Sequence, residues 1–293
     1  PLQLKEVKTI SAANLEEIYP QIFPARVPQA EVYAQIIADL ETALAKVRTT
    51  APHKGFATKG VVNAVLAKVY ATQEPHDWAK VKQYCEAVEA GGYTLLADYN
   101  ELWNNANENS AESIFEINYD GGTTDGNWGT KIFRGLDWKK FNLPANDLIA
   151  AFDAEGDLTR KNASIIFQDV SGKWSDSHYP QTMYPFINKM RNFQEGSNQN
   201  NIFIRLADIL LLKAEALNEL GDQPGAAALV NQIRTRVALP ATAATSQADL
   251  RLAIEKERRL ELAFEGHRWF DLKRTSRAID VMNNAKGANG ENL

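Results

Sequence analysis

The sequence is poor in the residues that usually carry chemistry. Among 293 residues there is one cysteine, Cys85, so no disulfide framework can form. It falls in the helical series Trp78, Val81, Cys85, Val88, where a thiol serves as a small core hydrophobe. The four histidines, His53, His76, His178 and His267, are dispersed, with no His-x-x-x-His spacing and no companion cysteines. They read as lone surface imidazoles, and a zinc site is not expected. Asp120, Asp125 and Asn127 do not fit a twelve-residue calcium loop closed by Glu. Neither a Gly-x-Ser-x-Gly elbow nor a phosphate loop nor a dinucleotide fingerprint occurs, so no cofactor is expected. No apolar run approaches the roughly 18 residues of a membrane helix, and no signal peptide with a basic start and apolar middle is present. Positive charge is also short. With 32 Lys and Arg against 37 Asp and Glu, the net charge of −5 lacks the basic footprint that nucleic acid attracts.

What remains is enough for a core, since 44% of residues are hydrophobic. Between Pro28 and Arg48, Val32, Ile36, Leu40, Leu44 and Val47 recur every three or four residues and predict an amphipathic helix of about five turns. Thr58 stands as an N-cap before Val61, Val65, Leu66 and Val69. A third helix runs from Asp77 to about Ala90 and ends at Gly91-Gly92. The last two form a helical hairpin. A second hairpin, Ile204 to Leu220 and Gly225 to about Val237, turns at Gly221-Asp222. Ala67 and Ala79 in the first have counterparts in Ala214 and Ala226, as if small residues let each helix pair approach closely. Such units resemble tetratricopeptide repeats, each burying its face on a neighbour. About 110 intervening residues argue against a continuous solenoid, and for a helical scaffold that supports an insertion.

That insertion, 93–200, is glycine-punctuated and aromatic, with Trp103, Trp128, Trp138 and Trp174 inside it. Ser113 to Tyr119 alternates with period two and predicts a short strand. Trp103 and Trp269 are both expected in the core. Downstream, Ser246-Gln247-Ala248-Asp249 has the form of a capping box, ahead of a helix dense in charge.

The run Glu255-Lys256-Glu257-Arg258-Arg259-Leu260-Glu261-Leu262-Ala263-Phe264-Glu265-Gly266-His267-Arg268-Trp269-Phe270-Asp271-Leu272-Lys273-Arg274 closely resembles the C-terminal signature of the SusD/RagB-like family. Similarity extends to Ile204 to Ala216, to Ala57-Thr58-Lys59-Gly60 and to Glu112 to Ile117. The resemblance implies an all-α, mainly helical fold of tetratricopeptide-like hairpins supporting a long irregular insertion with one or two short strands. It implies a lipid-anchored outer-membrane protein at the cell surface that pairs with a SusC-like TonB-dependent transporter. Family members are usually longer, start with a lipoprotein cysteine, and continue past the Arg-Trp-Phe-Asp-Leu segment with a Pro-Ile-Pro stretch that is absent here. The chain therefore reads as a single domain over 1–293 that is a fragment: hairpin 28–92, insertion 93–200, and C-terminal hairpin with signature helix 201–275.

Two features compete for function. Glu257, Glu261 and Glu265 line one helix face, and paired carboxylates are what glycoside hydrolysis uses. Carboxylates on one face cannot easily flank a sugar bond, and Arg258, Arg259 and Arg268 stand ready to pair with them, so a structural ion network is expected and no catalysis. The aromatic insertion is the better candidate, because C–H faces of a sugar ring stack on indole or phenol while amides and charges bond its hydroxyls. Trp128 sits between glycines beside Asp125 and Asn127; Trp138, Tyr179, Tyr184 and Arg191 complete the expected oligosaccharide site. A repeat-type adaptor for protein or peptide partners is the structural alternative, and a glycoside hydrolase the enzymatic one.

Overall fold

The computed structural model describes residues 10–134, 142–192, 194 and 196–285. The fold is mainly helical. In chain order the helices are α1 (Leu15–Ile22), α2 (Gln29–Lys46), α3 (Lys59–Tyr70), α4 (Trp78–Glu89), α5 (Gly122–Asp125), α6 (Trp128–Arg134), α7 (Asn146–Glu155), α8 (Leu158–Ser164), α9 (Leu206–Glu219), α10 (Gln223–Arg236), α11 (Gln247–Glu261), α12 (Arg268–Arg274) and α13 (Ala278–Asn283). Among the described residues, four short strands, β1 (Ser113–Ile117), β2 (Ile165–Gln168), β3 (Tyr184–Ile187) and β4 (Asn201–Arg205), form two antiparallel pairs, β1 with β4 and β2 with β3.

Helix starts follow the sequence signals. Thr58 Oγ1 accepts from the Val61 N–H at 3.5 Å, Asp77 from Lys80 at 3.0 Å and Asp222 from Gly225 at 2.9 Å. Ser246 caps α11 through the Asp249 N–H at 3.1 Å, but the box is not reciprocal. Asp249 is too short to reach back to the Ser246 backbone, so the Ser246 hydroxyl donates to its carboxylate at 2.6 Å instead.

The hairpins α3–α4 and α9–α10 pack directly against each other through α4 and α9. The largest core, containing Leu66, Ala67, Val81, Cys85, Val88, Ile209 and Leu212, lies between them, and α2 covers it from the α3 side. The two units thus stack as neighbours although the insertion separates them in sequence. Three expectations change. Ala79 is exposed, so only Ala67, Ala214 and Ala226 act as small buried residues. Ile204 and Arg205 belong to β4 rather than to the following helix, because their backbone is drawn into pairing with Ser113 and Phe115. Trp103 is buried at 6%, but Trp269 is 53% exposed. In the seven-residue α12 the inward positions are filled by Asp271, Leu272 and Arg274, which turns Trp269 and Phe270 outward. Within the insertion, α7 and β2 build a small core against α11, with Phe152 and Ile165 clustered with Leu260.

The acidic face of the signature helix is a buried ion network, with partners other than those nearest in sequence. Arg160 of α8 donates to Glu257 at 2.7 Å and Glu261 at 3.1 Å, and also pairs with Asp157. Arg205, at the end of β4, bonds Glu112 at 2.9 Å, Glu261 at 2.6 Å and Glu265 at 2.7 Å. Arg236 holds Glu112 at 2.6 Å and pairs with Glu261; Arg234 reaches Glu257 at 3.0 Å. Arg258, Arg259 and Arg268 instead pair with Asp208 and Asp271, with Asp147, and with Glu255. The reason is helical geometry: Arg258 and Arg259 share α11 with Glu257 and Glu261 but project to other faces, while Glu265, expected on the same helix face, lies in the turn that follows α11. His267 is not a surface imidazole either. It lies 3.3 Å from Lys68 Nζ beside the buried Asp208.

Burial alone would raise the pKa of Glu261, but Arg236, Arg205 and Arg160 together hold it well below the ordinary 4.5. A depressed folded-state pKa means that the pairing stabilises the fold above the unfolded value and is lost as pH falls through the folded one. Urea midpoints are expected to fall from about pH 5 downward, with a shallower slope in Glu261→Gln. Equal slopes would remove Glu261 from the acid response. At neutral pH, Arg160→Ala takes one cation from Glu257 and Glu261 and strips the buried Asp157 of its ion pair, and is expected to lower the unfolding free energy by about 3–5 kcal/mol in urea denaturation.

Candidate functional site

The turn carrying Trp128 is built by close approach of two backbones. Gly122 N–H donates to Gly196 O at 2.8 Å and Asn127 N–H to Ser197 O at 2.6 Å. A Cβ on Gly126 would stand 2.4 Å from Gly196 Cα, and one on Gly196, at φ +67°, would stand 2.3 Å from Gly122 O. The glycines of this loop are there for contact, and the loop is held rather than loose.

Asn127 completes the clamp. It is buried, its Nδ2 donates to Gln199 O at 2.8 Å and Asn201 Oδ1 at 3.0 Å, and its Oδ1 accepts from Gly129 N–H at 3.1 Å. Buried and bonded through both ends of its amide, Asn127 positions the turn and is withdrawn from the surface. Asp125 and Trp128 face outward, the indole 42% exposed at the start of α6.

The other candidates divide. Tyr184 is wholly buried with Val170 and Phe186, and its hydroxyl accepts from the Asp176 N–H at 3.0 Å, so it belongs to the core of the β2–β3 layer. Tyr179 packs edge-on against Tyr184 with ring centroids 5.4 Å apart, half-buried, donating to Pro144 O at 3.1 Å. Arg191 ties the insertion to itself, donating to Asn188 O at 3.1 Å and to Asn100 Oδ1 at 2.5 Å; burial pulls its pKa down against the pull of Glu101 and Asp98. Trp138 lies outside the described residues. Trp174 is 63% exposed.

Next to the clamp, and not foreseen from the sequence, is a cavity of about 200 Å3 where β4 meets the 99–107 turns. Trp103, Ile202, Phe203 and Phe264 supply apolar walls, while Asn105, Glu108, Asn201 and Lys189 supply polar atoms. Its amides come from two runs, 104–109 and 198–201, that are far apart in sequence and meet because β1 pairs with β4. Those asparagine-rich runs were the available signal. Glu108 accepts from the Asn200 N–H at 2.6 Å; burial nevertheless raises its pKa, helped by the charge of Glu116. Lys189 at the floor donates to Glu265 Oε1 at 2.6 Å and Glu261 O at 3.1 Å, with its Nζ 4.5 Å from the Trp103 ring centroid. Burial brings its pKa down to about 8, against the opposing pull of Glu265.

Hydrolysis would need a carboxylic acid of raised pKa opposite a carboxylate. The glutamates of the signature face have the reverse: the pKa values of Glu261 and Glu265 are depressed against the effect of burial, and every one of the three is held in ion pairs.

The sequence profile of the SusD family matches residues 159–292. A SusD-like protein of Formosa agariphila is 25% identical over 328 aligned residues, covering 96% of this chain and 59% of that protein. A second from the same organism is 47% identical over 97 residues, 30% of this chain and 19% of its own length. Among solved structures, a SusD superfamily protein from Bacteroides vulgatus superposes with a TM-score of 0.76 at 24% identity, over 92% of this chain and 62% of that one. A laminarin-binding SusD-like protein gives 0.70 at 29% identity, over 88% and 64%. The chain thus spans 59% of the first of these curated relatives and 62% of the first of these solved structures.

Because Asn127 is buried and satisfied while Trp128 is exposed, the two are expected to separate in mutation. Asn127→Ala should cost about 1–3 kcal/mol in thermal or urea unfolding by stranding its partners. Trp128→Ala should stay within about 1 kcal/mol of the parent. A comparable loss in both would mean that the indole packs as part of the turn.

Proposed function

We propose that this chain is a member of the SusD/RagB-like family, whose profile matches residues 159–292, and that it binds oligosaccharide at the bacterial cell surface without cleaving it and hands it to a partner TonB-dependent outer-membrane transporter. The stacked hairpins of 28–92 and 201–275 act as scaffold, and the 93–200 insertion carries the ligand. Lipid anchoring in the outer membrane is part of the same proposal.

The observation that carries it is the outward-facing indole of Trp128 on a turn fixed by its own backbone, with the Asp125 carboxylate beside it in sequence. An exposed aromatic on a rigid support stacks a sugar face without first losing side-chain freedom, and an acceptor nearby bonds hydroxyls. Trp138 and the half-exposed edge of Tyr179 are proposed to extend this surface. The likeness to a laminarin-binding relative makes a neutral glucan the first probe to try. Held in ion pairs, the signature glutamates leave the chain without an acid and base pair for hydrolysis on that face.

Retention in laminarin-containing and other polysaccharide-containing native gels, followed by calorimetry on oligosaccharides, tests this. Trp128→Ala is expected to raise Kd by about tenfold or more, about 1.4 kcal/mol, with an unchanged circular dichroism spectrum. Undiminished binding takes Trp128 out of the site, and release of reducing ends from any bound glycan ends the non-catalytic reading.

A further inference from the structure

We propose that the cavity between β4 and the 99–107 turns is a recognition pocket for a single uncharged sugar ring, separate from the exposed Trp128 surface; it deepens the glycan-binding reading and rests on it.

Size is the first reason. About 200 Å3 is the room of roughly seven waters at about 30 Å3 each, below the roughly 300–1,000 Å3 of sites that enclose larger ligands. That is room for about one pyranose ring. The lining is the second. Trp103, Ile202, Phe203 and Phe264 give an apolar side, and Phe203 is 61% exposed, its ring edge-on to Phe115. A sugar ring has the matching shape, with apolar C–H faces and hydroxyls around its edge.

The free polar groups are the third reason. Trp103 Nε1 and Asn105 Oδ1 are buried and have no hydrogen-bond partner among the described residues. Asn201 accepts from Asn127 through Oδ1, which leaves its NH2 as a donor. Glu108 has one oxygen on the Asn200 N–H and the other available as an acceptor. The lining therefore offers both donors and acceptors, as a set of hydroxyls requires. By contrast Gln199 bonds Lys189 O and the Asn192 N–H, and Asn200 bonds Glu116, Asn118 and the Tyr119 N–H, and these bonds hold the wall in place.

Charge selects the class. Glu108, Glu116 and Glu265 line the cavity, and the cation among its described lining residues, Lys189, is already bonded to Glu265 and to Glu261 O. A uronic acid or sulfated ring would bring an anion toward Glu108 and Glu116 with no available cation to meet it. Neutral rings are accepted and acidic ones rejected.

The six tryptophans each give one indole N–H resonance, so the test can be read at Trp103 itself. The probes are methyl β-glucoside, methyl β-galactoside and methyl β-xyloside as neutral rings and glucuronate as the acidic one, titrated into 15N-labelled full chain. At least one neutral glycoside is expected to move the Trp103 indole resonance in a saturable, millimolar titration and to leave that of Trp128 in place. Phe203→Ala, a change at an exposed ring, should weaken the effect about tenfold, and glucuronate should bind at least about tenfold more weakly than the best neutral ring. The pocket is disproved if no neutral glycoside moves Trp103, if glucuronate binds equally well, or if Phe203→Ala has no effect. Failure of the broader reading appears elsewhere: loss of all polysaccharide retention in native gels rejects the glycan holder, whereas retention that needs Trp128 but is accompanied by a silent Trp103 rejects only this pocket.

Discussion

The structure depends on neutralising the carboxylates of Glu257, Glu261 and Glu265 inside the protein. Taking an isolated carboxylate out of water is prohibitive, and each of these three is almost inaccessible, so the cations must come from whatever elements close over α11. They come from everywhere except the residues beside them. Arg160 arrives from α8, Lys189 from the end of β3, Arg205 from β4, and Arg234 and Arg236 from α10. One helix face therefore fixes the position of the insertion, a strand and the second hairpin at once. Such pairs add little net stability, but removing one partner is costly, and the arrangement works as a register device.

The ligand-facing parts inherit their rigidity from this centre. Lys189, anchored on Glu265, forms the floor of the cavity, and Gln199 bonds its carbonyl. Gln199 in turn receives the amide of Asn127 through its backbone oxygen, and Asn127 fixes the turn that displays Trp128. A chain of hydrogen bonds thus runs from the charged core to the first turn of α6, which carries the exposed indole.

Local features were legible in the sequence. The helices α2, α3 and α4, the Thr58 cap and the β1 strand are all set by periodicity and turn chemistry within a few residues. The mainly helical class was carried by the resemblance of the signature run 255–274. What was not legible depends on contacts far along the chain. Nothing near Glu261 in sequence tells that its partners are Arg160, Arg205 and Arg236, and nothing near Trp269 tells that a seven-residue helix presents it to solvent. Asn127, Tyr184 and Arg191 are ordinary hydrogen-bonding residues by type; only tertiary structure reveals that their groups are already engaged. The cavity escaped notice because its two asparagine-rich walls meet through a strand pairing of residues about ninety apart, such as Ser113 with Arg205.

The ion network also bears on how the chain reaches its native state. Arg205 is 56 residues from Glu261, Arg160 is 101, and Arg205 is 93 from Glu112. Each such pair closes a long loop, and the hairpins, by contrast, form from neighbours in sequence. The acidic residues at the end of α11 can therefore be neutralised only where the insertion, β4 and α10 are all in place, so that the ion network ties parts of the chain far apart in sequence into one body.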